Sequence, residues 1–135
     1  IYGDKKGEMT NSDIYVSTLG EDGKWGAGVP LPKTINTPQQ EESVLIHPDG
    51  KTLYFSSDNA QSVGGFDMFK ATRDENGMWS KPTNLGYAVN SYSDEVGFSM
   101  IADGTKGYVS SNRIGTTGMY DIPCSSSSWI CCIYR

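Results

Sequence analysis

The sequence predicts an all-β chain built from repeated antiparallel meanders. Composition, self-similarity at one spacing and the turn chemistry within each copy carry that expectation. Of 135 residues, 36% are hydrophobic, 11% aromatic and 16 are Gly. Few apolar residues with many glycines suit short strands and numerous turns, and the aromatic share is too high for a disordered chain. The length suits one ordinary domain. No apolar run approaches the roughly 18 residues of a membrane-spanning helix. The net charge is −5. Nucleic-acid binding needs clustered Lys and Arg to displace phosphate counterions, so it is not expected here.

The repeat is read directly. Asp13-Ile14-Tyr15 returns as Asp67-Met68-Phe69 and in part as Asp121-Ile122, 54 residues on each time. Trp25 matches Trp79, Asn36 matches Asn90, and Glu41 matches Glu95. Asp49-Gly50 matches Asp103-Gly104, and Tyr54-Phe55-Ser56-Ser57-Asp58 matches Tyr108-Val109-Ser110-Ser111-Asn112. All share one offset without insertions, the signature of a repeat architecture.

Each element of one copy follows in order. Glu41 and Glu42 open a strand whose apolar run, Val44-Leu45-Ile46, reads as buried. His47-Pro48-Asp49-Gly50 is a turn, because Asp and Gly tolerate positive φ. Residues 51–57 are rich in Thr, Leu, Tyr and Phe and form the second strand of a hairpin. Residues 58–65 are a polar loop, and residues 66–72 a third strand. Residues 74–77 turn again, and Met78-Trp79-Ser80 begin a fourth strand that Pro82 keeps short or at an edge. Four antiparallel strands in about 50 residues are the unit of a β-propeller blade. The chain therefore divides into a partial propeller over residues 1–122 and a tail over residues 123–135. The propeller part holds a half blade, one full blade over about 41–86 and a second half blade, about two blade equivalents.

His47 to Ser57, followed by Gly64-Gly65-Phe66-Asp67-Met68-Phe69, resembles the WD40-like propeller repeat of the Tol-B type. In particular it is similar to the propeller region of periplasmic OmpA-family proteins of Bacteroidetes-type bacteria. Ala102 to Arg113 is a looser second copy in register, and the likeness covers roughly residues 4–122. The resemblance implies a periplasmic, outer-membrane-associated location and a non-enzymatic module that binds protein or peptidoglycan-associated partners.

The tail departs from the pattern. Pro123 stands where an aromatic residue is expected, and all three cysteines, Cys124, Cys131 and Cys132, fall after it. A frameshifted or appended end is one reading, and a partner- or membrane-touching tail the other. Propellers close with about four to eight blades. The chain is accordingly expected to be a piece of a larger ring, with closure as a homo-oligomer through composite blades as the alternative.

Positions shared by the copies serve the shared fold. Asp13, Trp25, Asp49, Gly50, Asp67, Trp79, Asp103, Gly104 and Asp121 are expected to be structural, the tryptophans packing between blades and the aspartates bonding loop N–H groups. Positions that differ between the copies are better functional candidates. Glu41, Glu42, Asp94 and Glu95 would stand near the mouth of a central channel, where they could hold a cation or a basic peptide. The loops offer Asp58, Asn59, Asn112 and Arg113 as further binding groups. No cofactor, metal site or catalytic residue is expected, since no spacing of a nucleophile elbow, P-loop or zinc site occurs. The competing function is a carbohydrate-binding or glycoside-hydrolysing propeller using those four acids.

Overall fold

Turn chemistry cuts this chain into short strands, and glycine marks the cuts. Gly50 and Gly77 adopt φ of 67° and 82°, a left-handed conformation that a Cβ disfavours. The computed structural model describes residues 12–101, 103 and 106–113. These hold β1 (Tyr15–Val16), β2 (Val29–Pro30), β3 (Glu41–Ile46), β4 (Thr52–Ser57), β5 (Asp67–Thr72), β6 (Thr83–Asn84), β7 (Glu95–Met100) and β8 (Gly107–Ser111), with no helix among them. All pairings are antiparallel. They form a two-stranded sheet β1-β2, a four-stranded sheet β3-β4-β5-β6 and a two-stranded sheet β7-β8. Gly104, Asp121 and the cysteine-bearing tail lie outside the described residues.

The ladder is most regular at β4–β5, which pair without a break from Thr52↔Thr72 to Ser57↔Asp67. Alternation along these strands sends Leu53, Phe55, Phe69 and Ala71 to one face and Tyr54 and Met68 to the other. The first face packs with Ile14 and Ile35 in one buried cluster, where the Phe55 and Phe69 rings stack with centroids 6.0 Å apart. Burying a side chain of this size contributes about 2–3 kcal/mol. On the other face Tyr54 meets Phe98 of β7, ring centroids 4.8 Å apart. The central sheet is thus covered by a different neighbour on each side.

Asp49 builds the β3–β4 turn. Its Oδ1 accepts the Lys51 and Thr52 N–H groups at 2.7 and 2.8 Å, and its Oδ2 accepts the Thr52 hydroxyl. These bonds favour the ionised form and pull the carboxyl down to about 2. Asp103 lies in the turn between β7 and β8.

Three local expectations need correction. The fourth strand forms at Thr83–Asn84, after Pro82, while Trp79 makes only an isolated bridge to Arg73. Proline has no N–H for the ladder, so regular pairing with β5 resumes beyond it. The apolar run of β3 is not buried throughout, since Val44 and Ile46 are half exposed. A β-bulge between Glu42 and Leu45 interrupts the alternation there, and Ser43 inside it takes a φ of 50°. Its hydroxyl donates to the Val96 carbonyl of β7. Finally, Trp79 packs partly buried against the core, whereas Trp25 is 70% exposed. Trp79 belongs to a four-stranded sheet. Trp25 lies between β1 and β2, a sheet with only two strands among the described residues.

Candidate functional site

The connection into β3 is organised by side-chain hydrogen bonds. Ile35 and Asn36 both donate their N–H to the Pro32 carbonyl, closing a tight turn. The Asn36 side chain then clamps Ile14, its Oδ1 accepting the Ile14 N–H at 2.9 Å and its amide donating to the Ile14 carbonyl at 3.1 Å. Glu41 follows, 2% exposed. Its Oε2 accepts the Thr37 N–H at 3.0 Å, and its Oε1 accepts the Thr37 and Ser57 hydroxyls at 2.6 and 3.1 Å.

The connection into β7 makes the same bonds. Asn90 clamps Met68 at 2.8 and 3.0 Å. Glu95, fully buried, accepts the Ser91 N–H at 2.9 Å, the Ser91 hydroxyl at 2.7 Å and the Ser111 hydroxyl at 2.6 Å.

One group distinguishes the two sites. Arg113 reaches Glu95 with an N–H to Oε1 at 3.0 Å, donates to the Val89 carbonyl, and donates its Nε–H to the Ser111 hydroxyl. The residue in Arg113's place beside Glu41 is Asn59, whose side chain instead accepts the Gln61 N–H at 2.8 Å. Desolvation pushes the Glu41 carboxyl above its usual range, against the hydrogen bonds from Thr37 and Ser57, and the Asp13 charge adds to the rise.

The other sequence candidates are also placed. Asp94 accepts the Phe66 N–H on Oδ1 and the Asn112 amide on Oδ2, both at 3.0 Å, and Asn112 Oδ1 accepts the Asp94 N–H in return. Asp58 accepts the Gln40 N–H at 2.9 Å. Asp67 is fully buried; its Oδ2 accepts the Val63 N–H at 2.8 Å and the Asn84 amide at 2.7 Å. Its Oδ1 has no hydrogen-bond partner among the described residues. Glu42 and Asp13 line a cavity of about 320 Å³ between residues 12–15 and 41–44.

Glu41 and Glu95 therefore face inward as acceptors, not outward on a rim. Glu95 and Arg113 are brought together; Glu41 and Asn59 are not. Sequence reasoning missed Thr37 and Ser91, though a hydroxyl residue stands four places before each buried Glu. It also missed Tyr87 and Tyr92, which are 70% and 80% exposed. Their counterparts are Lys33 and Pro38, so a search for positions where the copies differ would have found them.

Among the described residues no three His, Cys, Asp or Glu side chains are grouped to hold a metal ion, and no helix is long and apolar enough to cross a membrane. Comparison with protein-family models, with curated proteins and with solved structures found no match to this chain.

Proposed function

We propose that the chain is part of a β-propeller that serves as a non-enzymatic interaction module of the bacterial cell envelope, binding protein or peptidoglycan-associated partners. The blade reading is supported by bonds that return 54 residues apart in sequence, from Asn36–Ile14 to Asn90–Met68 and from Thr37–Glu41 to Ser91–Glu95. It is supported too by the central sheet's having a neighbour on each face. Ring closure then needs further blades, from the same polypeptide or from other copies, and the mass in solution separates the two.

The observation that carries the non-enzymatic reading is the burial of Glu41 and Glu95, each at 2% exposure or less. A glycosidase needs two carboxyl groups flanking the scissile bond within reach of substrate. Here the best-placed pair is taken up by the turns that precede β3 and β7. The envelope location rests on the sequence resemblance. Co-sedimentation with purified peptidoglycan sacculi, run beside a glycan-hydrolysis screen, tests the proposal. Retention on sacculi without release of sugar is the expected result. Hydrolysis that Glu41→Gln or Glu95→Gln abolishes would overturn it.

A further inference from the structure

We infer that Tyr87 and Tyr92, with the charge of Asp67 behind them, form a docking point for lysine- or arginine-bearing peptide segments. This deepens the interaction-module reading and rests on it. Both rings lie on the connection between β6 and β7, 70% and 80% exposed. Their centroids are 6.4 Å apart and their planes tilted by 56°, with the two hydroxyls hydrogen-bonded to each other. Large aromatic faces left in water on a surface are a mark of interaction sites.

The connection that carries them is held firmly. Val89 and Asn90 both donate their N–H to the Gly86 carbonyl, and Ser93 donates to the Ser91 hydroxyl. Gly64 lies directly beneath, where a Cβ would come within 2.5 Å of the Tyr92 carbonyl carbon and 2.6 Å of the Ser93 oxygen. Such pre-organisation lowers the entropy cost of binding.

The electrostatics select a cation. Asp67 raises the Tyr87 hydroxyl together with Tyr92, so its field reaches the aromatic pair. Asp67 makes no ion pair among the described residues, and its buried Oδ1 has no hydrogen-bond partner there. A cation over an exposed ring face gains about 0.5–1 kcal/mol from the ring quadrupole, and the carboxylate adds to this. The tilt between the rings spoils a flat platform for a sugar. A metal ion lacks a grouped ligand set. At the matching place in the earlier copy stands Lys33, which would repel a cation, so the site belongs to one connection only.

Titration of the intact chain with the peptide Gly-Lys-Gly-Lys-Gly, followed by NMR, tests the inference. Saturable shifts at Tyr87 and Tyr92 that fade at high salt are expected, with affinity about tenfold weaker in the Tyr87→Ala/Tyr92→Ala variant. Both side chains are exposed, and an unchanged amide spectrum elsewhere will verify the variant's fold. As a second probe, Tyr92→Lys places a like charge at the site and should abolish binding. Absence of binding, equal binding by the double variant, or equal binding of Gly-Glu-Gly-Glu-Gly or of chitohexaose would overturn the inference. Sacculus retention that persists without lysine-peptide binding would sink this inference while leaving the broader module reading intact.

Discussion

The connections into β3 and β7 solve the same problem with one difference. Each buries a glutamate at the start of a strand and surrounds it with a backbone N–H and two hydroxyls. Only Glu95 also receives a guanidinium. A buried carboxylate without a cation prefers its neutral form, whereas a paired one keeps its charge at the cost of depending on its partner. The copies therefore share a hydrogen-bond frame yet respond differently to substitution and to pH.

Arg113→Ala breaks that comparison with the largest effect. It leaves the Glu95 charge buried and uncompensated, and stability should fall by about 3 kcal/mol in chemical denaturation; Asn59→Ala should cost far less. Next come the clamps common to both sites. Asn36→Ala and Asn90→Ala each strand one backbone N–H and one carbonyl, so each should cost about 2 kcal/mol, and the two losses should be similar. A larger loss at one of them would show that the frame is not shared.

Asn59→Arg sharpens the comparison by offering Glu41 the cation that Glu95 has. A gain of about 1 kcal/mol at neutral pH is expected if the guanidinium reaches Oε1, and no gain would mean that the β3 site cannot adopt the β7 arrangement. The subtlest effect is on pH dependence. The folded chain holds the Glu41 proton more tightly than the unfolded chain does, so Glu41 makes stability decline as pH rises from 4.5 through its raised folded value. Glu41→Gln should remove that decline and Asn59→Arg should reduce it, as read from melting temperature against pH. Asp49 acts in the opposite sense and lower, its contribution fading as pH falls from 3.8 toward about 2.

Much of this was legible in the residues themselves. The β3–β4 hairpin followed from Asp49-Gly50 between two runs of strand-forming residues, and the polar loop after it from its composition. The exposure of Val44 was not legible, because a bulge depends on how β3 meets β4 and β7 and not on apolar character alone. The inward turn of Glu41 and Glu95 was missed for a related reason. An acid at the start of a strand reads as solvated unless its donors are known, and Ser57 and Ser111 come from 16 residues away in the chain. Trp25 and Trp79 occupy matching positions yet differ in burial, since burial is set by neighbouring strands and not by the residue.

Local chemistry, then, was enough to determine antiparallel strands, the places where they turn and the spacing at which their residues return, because turn formation and alternation act over a few residues. Which carboxylate gained a cation, which aromatic rings stayed in water and which face of the central sheet met which neighbour were decided only by the tertiary structure. Those outcomes depend on groups far apart in sequence that folding brings to within a few ångströms, where desolvation and charge set the balance.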